Sequence, residues 1–201
     1  PGSVALLAVT KTRPPEDLRA AFAAGQRAFG ENYVSEALGK MGALEDLAIE
    51  WHFIGPVQSN KTRPIAERFA WVHSVDREKV ARRLAEQRPA GLPPLQVCLE
   101  VNVSGEEGKS GVAPGELPAL ARTVVGLPRL RLRGLMAVPA PGEDFELQRQ
   151  AFRSLRELFE GLRAEGLPLD TLSMGMSGDL EAAVAEGSTL VRVGTAIFGP
   201  R

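Results

Sequence analysis

The chain has 201 residues, of which 44% are apolar and 24% charged, and its 24 Lys and Arg against 25 Asp and Glu give a net charge of −1. This composition predicts a single globular domain over residues 1–201, and the near-neutral charge argues against a nucleic-acid or membrane-surface binder. No apolar run is long enough for a transmembrane helix, no signal peptide opens the sequence, and one cysteine cannot form an internal disulfide. The two histidines lack metal-ligand spacing. We therefore expect a cytoplasmic monomer without a metal.

Strand-like and helix-like segments alternate along the whole chain. Apolar runs predict strands at 4–10, 27–30, 49–54, 71–75, 95–103, 130–138, 171–174 and 189–193. Helical patterns lie between them, the longest at 146–165, and a final turn is expected at 195–198. Such alternation predicts parallel strands with right-handed crossovers, and eight units predict an α/β fold of the (β/α)8 TIM-barrel type. An open doubly wound sheet is the alternative, which the missing Gly-x-Gly-x-x-Gly after the first strand weakens.

The first predicted strand closes on Lys11. A lysine in this position is either a rim residue that reaches water or an amine kept for chemistry. Active sites of TIM barrels lie at the C-terminal ends of the strands, and polar or glycine residues cluster at these ends here. The position therefore makes Lys11 a candidate functional amine.

Two loops predict a phosphate site. Gly175-Met-Ser177-Gly178 follows strand seven and Gly194-Thr195 follows strand eight, and each leads into a helical segment. Glycines let backbone N–H groups approach an anion, hydroxyls add donors, and helix N-termini favour negative charge. Each loop alone is an ordinary turn, but TIM barrels often bind phosphate with the loops after these two strands.

Arg192 alternates with valines in the last strand and is therefore predicted to face the barrel interior. A lysine amine, a phosphate site and an inward arginine suit two chemistries. One is a Schiff-base aldolase that acts on sugar phosphates, and the other is binding of pyridoxal 5′-phosphate (PLP), with Lys11 on its aldehyde and Arg192 on its ring nitrogen. A purely structural barrel with Lys11 at its rim is the third possibility.

Several segments carry a resemblance to a known family. They include Ala8-Val-Thr-Lys11-Thr, Phe29-Gly-Glu-Asn-Tyr33, Trp51-His-Phe-Ile-Gly-Pro-Val-Gln-Ser-Asn-Lys61, Leu172-Ser-Met-Gly-Met-Ser177 and Val191-Arg-Val-Gly-Thr-Ala-Ile-Phe-Gly199. With these segments the chain resembles the YggS/PROSC family of pyridoxal phosphate homeostasis proteins and, more distantly, the N-terminal barrel of alanine racemase. Members of that family usually carry a helix before the first strand, so the resemblance leaves the covering of the barrel's N-terminal face unassigned.

The resemblance implies a fold-type III PLP-binding barrel in which Lys11 forms the Schiff base with the cofactor. It further implies that Ser177, Gly194 and Thr195 contact the phosphate and that Arg192 is the partner of the ring nitrogen. Asn32 is implied to line the ring pocket, and Met136 is implied to pack beside the cofactor. The implied role is that of a PLP carrier or regulator, with PLP-dependent apoenzymes as possible partners. A weak racemase stays an alternative, although a racemase needs a second acid or base and the chain has one tyrosine, Tyr33.

Overall fold

The structure, a computed structural model, describes residues 4–106, 108–140, 142 and 144–200. Eight parallel strands close into a barrel in chain order, and β8 pairs with β1. The strands are β1 Ala5–Val9, β2 Ala28–Glu31, β3 Glu50–Phe53, β4 Trp71–Val75, β5 Leu95–Glu100, β6 Leu130–Met136, β7 Thr171–Ser173 and β8 Leu190–Val193. Closure confirms the predicted (β/α)8 barrel and excludes the open sheet, which would leave two unpaired edges.

A helix follows each strand. The helices are α1 Pro15–Ala23, α2 Val34–Ala43, α3 Thr62–Arg68, α4 Glu78–Gln87, α5 Leu117–Val125, α6 Phe145–Ala164, α7 Leu180–Ala185 and α8 Thr195–Phe198, and a short 3-10 turn, Ser59–Lys61, precedes α3. The longest, α6, is capped at its N-terminus by Asp144, whose carboxylate accepts hydrogen bonds from the N–H groups of Glu146 and Leu147. Because all eight strands are parallel, their C-terminal ends lie at one face of the barrel.

Two strands end earlier in the structure than the sequence predicts. Strand five was predicted to reach Val103 but β5 ends at Glu100, and β6 ends at Met136 rather than at Val138. Beyond β5, Val101 makes only an isolated bridge with Val112. The apolar run continues in the sequence because Val101 and Ala137 are still buried in the core and Val103 packs against it, although the chain has left the regular ladder. Val138 is exposed.

Most of the hydrophobic core lies between the strands and the surrounding helices, as in other barrels. The space inside the barrel is different because it contains several buried polar side chains. His52, His73, Ser173 and Arg192 are each at most 4% exposed. Burial of such groups is costly unless each finds a hydrogen-bond partner, so their bonds decide how the interior is organised.

Candidate functional site

A cavity of about 310 Å³ opens at the C-terminal face of the barrel, between the ends of β1, β2, β7 and β8. Its volume is in the range of small-ligand sites. It is lined by Val9, Lys11, Arg13, Asn32, Ile54, Val138, Met176, Ser177, Gly178, Arg192, Gly194 and Thr195. Lys11, Arg13 and Arg192 carry positive charge and the lining residues that the structure describes include no carboxylate, so the cavity favours an anionic ligand.

Lys11 lies just beyond β1, half-buried, in a loop that neighbouring groups hold on both sides. Before it, the N–H of Thr10 donates to the carbonyl of Gly30 at 3.0 Å, and the Thr10 hydroxyl donates to Glu31 Oε1 at 2.5 Å. After it, Thr12 adopts a left-handed backbone with φ of 64°, and its N–H donates to Glu36 Oε1 at 2.5 Å. A β-branched residue rarely adopts this conformation, so the turn after Lys11 is imposed by its surroundings.

A buried lysine ties these supports together. Nζ of Lys40 donates to the Thr10 carbonyl at 2.6 Å, to Glu31 Oε1 at 2.8 Å and to Glu36 Oε1 at 2.6 Å. Glu31 is fully buried, and burial is the main reason why its pKa is raised, while Lys40 opposes that rise. Lys40 therefore fixes the backbone on both sides of Lys11 by charge-assisted bonds.

Arg192 crosses the barrel interior below the cavity. Its Nη1 donates to the carbonyl of Ser173 at 2.6 Å and to Ser173 Oγ at 2.8 Å, and its Nη2 donates to the carbonyl of Ala137 at 2.9 Å. Burial lowers the pKa of this guanidinium to about 10, partly offset by Asp179, so it stays charged at neutral pH. The predicted inward orientation of Arg192 is confirmed, since the residue is buried and also lines the cavity.

The loops after β7 and β8 meet beside the cavity. Gly175 has φ of +97°, and a Cβ there would lie 2.6 Å from Cβ of Ala183, so only glycine fits this turn. The turn brings Ser177 close to the second loop, where its Oγ accepts from the N–H of Ala196 at 3.4 Å. The first N–H groups of α8, which begins at Thr195, have no helical carbonyl to bind. Hydroxyls and backbone donors therefore converge on one side of the cavity.

Asn32 follows β2 and lines the cavity. In the barrel, β2 lies on one side of β1 and β8 lies on the other. Oδ1 of Asn32 is buried and has no hydrogen-bond partner within the described part of the chain. The loop after β3 passes closely beside it, since a Cβ on Gly55 would lie 2.2 Å from the Asn32 carbonyl oxygen. An unsatisfied buried acceptor at the wall of a cavity is the kind of group that a ligand's donor completes.

Over the described ranges, no group of three His, Cys, Asp or Glu side chains is arranged to hold a metal ion. None of the described helices is long and apolar enough to cross a membrane. Cys98 lies buried in the barrel, and burial raises the pKa of its thiol to about 12, so it behaves as a small core residue.

Comparison with known proteins places this geometry in a family. The family model described as "Alanine racemase, N-terminal domain" matches residues 1–201. A relative from Pseudomonas aeruginosa named "Pyridoxal phosphate homeostasis protein" is 66% identical over 201 residues, which is all of this chain and 86% of that protein. The chain belongs to the YggS/PROSC family of pyridoxal phosphate homeostasis proteins.

Solved structures of other proteins have the same barrel fold. PipY of Synechococcus elongatus, determined with PLP bound, is 40% identical and superposes with a TM-score of 0.91 over 99% of this chain and 94% of its own. Alanine racemase of Corynebacterium glutamicum is 18% identical with a TM-score of 0.77, covering 100% of this chain and 57% of its own, and shows the shared barrel alone.

The cavity of this family member gathers most residues that the sequence analysis singled out. Lys11, Asn32, Ser177, Arg192, Gly194 and Thr195 all line it. Met136 does not: its side chain is buried with Trp71 and Cys98 inside the barrel. That Met136 packs beside a cofactor therefore stays a prediction.

Two sets of residues were missed. Arg13 lines the cavity, and its guanidinium donates to the carbonyl oxygens of Gly199 and Pro200, which joins the β1 loop to the end of the chain's last helix. Its spacing of two residues from Lys11 was the available signal. Ser173 accepts a hydrogen bond from Arg192, and His73 is hydrogen-bonded to Ser173; neither residue was singled out from the sequence as part of the site.

Proposed function

We propose that this protein binds PLP in the cavity at the C-terminal face of the barrel and acts in PLP homeostasis as a carrier or regulator. The observation that carries the proposal is the convergence of a lysine amine, a buried arginine and a two-loop anion site on one cavity of about 310 Å³. The names of the relatives and the PLP-bound PipY structure support it. Residues 1–201 form the single domain of this proposal.

The residues of the cavity suit each part of the cofactor. Lys11 would hold the aldehyde carbon, and Ser177, Gly194 and Thr195 would hold the phosphate. Arg192 would donate to the ring nitrogen, and because a guanidinium does not give up its proton, it would leave that nitrogen unprotonated. The orphaned Oδ1 of Asn32 offers an acceptor for the ring's hydroxyl. When bound, PLP supplies an aldehyde that reacts with amines and a ring that withdraws electrons.

The cavity lining favours a carrier over a racemase. Racemisation needs an acid or base on each face of the substrate. Lys11 could act on one face, but the described lining residues include no Tyr, His, Cys, Asp or Glu for the other. Tyr33, the chain's one tyrosine, is 58% exposed and lies outside the lining. PLP-dependent apoenzymes are the proposed recipients, and the cytoplasmic location and the monomeric state stay predictions.

The binding role is tested by titrating purified protein with PLP. Lys11→Ala is expected to lose the yellow absorbance of the bound cofactor and to bind PLP roughly 100-fold more weakly, because the covalent attachment is lost. Lys79→Ala, which removes an exposed lysine of α4, serves as the matched control and should bind like the wild type. Equal affinity of the wild type and Lys11→Ala would overturn the proposal.

The carrier role is tested with the loaded protein and a PLP-dependent apoenzyme. We expect activity to return to the apoenzyme, while incubation of the loaded protein with L-amino acids yields negligible racemisation. Robust racemisation that Lys11→Ala abolishes would favour the enzyme instead. Schiff-base trapping that requires a sugar phosphate rather than PLP would favour the aldolase.

A further inference from the structure

A continuous chain of hydrogen bonds runs through the inside of the barrel, from one face to the candidate site at the other. Glu50, at the start of β3, lies at the N-terminal face, and its Oε1 is 2.9 Å from Nε2 of His52. Nδ1 of His52 is 2.8 Å from Nε2 of His73, and Nδ1 of His73 is 2.7 Å from Ser173 Oγ. Ser173 Oγ in turn accepts from Arg192 at 2.8 Å.

We propose that Glu50 is a positioning residue for Arg192, acting from the opposite face of the barrel through His52, His73 and Ser173. This inference rests on the proposed function for its meaning, because Arg192 is the assigned partner of the PLP ring nitrogen. The hydrogen-bond chain itself can be tested without the cofactor. The relay consists of five residues, Glu50, His52, His73, Ser173 and Arg192.

The relay has two possible directions, and the carboxylate of Glu50 selects one. A carboxylate only accepts, so His52 must carry its proton on Nε2 to donate to Glu50. Its Nδ1 then accepts from Nε2–H of His73, whose Nδ1 accepts the Ser173 hydroxyl proton. In this direction the hydroxyl proton points away from Arg192, and a lone pair of Ser173 Oγ faces the guanidinium.

The opposite direction places bare Nε2 of His52 against a carboxylate oxygen, which is repulsive. It also places a proton on Nδ1 of His73, so that Ser173 Oγ accepts hydrogen bonds from both His73 and Arg192. The Ser173 hydroxyl proton then no longer has His73 as its acceptor. A buried donor without an acceptor costs about 1–3 kcal/mol. Glu50 therefore favours the arrangement in which every relay hydrogen bond is satisfied.

Charge and packing inside the barrel support a neutral relay. Burial lowers the pKa of His52, although Glu50 opposes this, and burial lowers the pKa of His73 well below its usual value, with His52 and Arg192 adding to the effect. Both rings are therefore uncharged at neutral pH, as the alternation of donor and acceptor requires. The His52 ring stacks on Trp71 with ring centroids 5.3 Å apart and an interplanar angle of 6°, which fixes its plane.

Glu50 is suited to act as the outer end of the relay because it meets solvent. Its side chain is 52% exposed, whereas that of His52 is 2% exposed. The hydrogen bond to His52 is the main cause of its lowered pKa, so it stays ionised at neutral pH. A second cavity, of about 260 Å³, opens at this face and is lined by Glu50, His52, Trp71, Arg133 and Asp170 among others. A change in the Glu50 side chain at this face is thus expected to alter the positioning of Arg192 through the relay.

The test uses imidazole ¹⁵N NMR of the ligand-free protein, where the chain's two histidines give few signals. In the wild type we expect both rings to be neutral with the proton on Nε2. In Glu50→Ala we expect the His73 signals to shift toward a mixture of tautomers, although Glu50 contacts only His52 in the relay. Glu67→Ala, which removes another carboxylate lining a cavity at the same face, is the control and should leave them unchanged.

A second readout measures the effect on the cofactor. Glu50→Ala is expected to bind PLP roughly tenfold more weakly, within the range for coupling through intermediate residues, and to alter the bound cofactor's absorbance spectrum. A protonated ring or an Nδ1–H tautomer in the wild type would overturn the proposal, and so would unchanged His73 signals in Glu50→Ala. Failure of the wild type to bind PLP would instead contradict the proposed function, while the NMR result would still decide the relay.

Discussion

Replacing Lys40 by methionine is expected to lower the free energy of unfolding by about 3–5 kcal/mol, since it leaves Glu31 buried without its cation. Lys40 is 5% exposed and Glu31 0%, so water cannot replace the lost bond. The same change should weaken PLP attachment at Lys11, because Nζ of Lys40 holds Thr10 directly and Thr12 through Glu36. Urea unfolding followed by circular dichroism measures the first effect, and PLP titration measures the second.

A double variant separates the buried charge from the lost packing. Glu31→Gln combined with Lys40→Met should be less destabilised than the sum of the two single changes, because the uncompensated carboxylate is gone. Lys79→Met, on an exposed position of α4, controls for the loss of a lysine and should stay within about 0.5 kcal/mol of the wild type. A loss below about 1 kcal/mol in Lys40→Met would show that this cluster does not organise the Lys11 loop.

Replacing Gly134 by alanine should destabilise the barrel by at least about 3 kcal/mol, the upper end for overpacking. A Cβ at this position of β6 would lie 1.7 Å from the carbonyl oxygen of Thr171 on β7, so the two strands would have to separate. That shift would also move Ser173 and Ala137, which accept hydrogen bonds from Arg192. We therefore expect both the urea midpoint and the PLP affinity to fall.

Gly161→Ala is a matched control, for which we expect a change in stability of the opposite sign. It lies on the exposed side of α6 with open space where a Cβ would be, so alanine there should stabilise the protein by about 0.5–1 kcal/mol. A Gly134→Ala variant within about 1 kcal/mol of the wild type would mean that β6 and β7 tolerate more separation than the structure shows.

The barrel and the outer parts of the site could be predicted from the sequence because both depend on local patterns. Alternating strand and helix signals gave the closed barrel, the end of the first apolar run located Lys11, and strand periodicity turned Arg192 inward. The glycines after strands seven and eight identified the loops that border the cavity. Each of these signals lies within a few residues of the position that it predicts.

The inner support of the site could not be predicted because it depends on contacts between distant segments. His73 and Ser173 are 100 positions apart in the chain, and their hydrogen bond depends on the relative placement of β4 and β7, two strands that are not neighbours in the barrel. Lys40 reads as a surface residue of α2 until the position of Glu31 is known.

The most direct test of the central proposal is to mix the wild-type protein with PLP, reduce the attachment with borohydride and map the modified peptide by mass spectrometry. The account predicts one modified position, Lys11, and no modified peptide at that position in Lys11→Ala. Modification scattered over exposed lysines, with the same pattern in Lys11→Ala, would contradict the account, since it would mean that the cavity does not direct PLP to the end of β1.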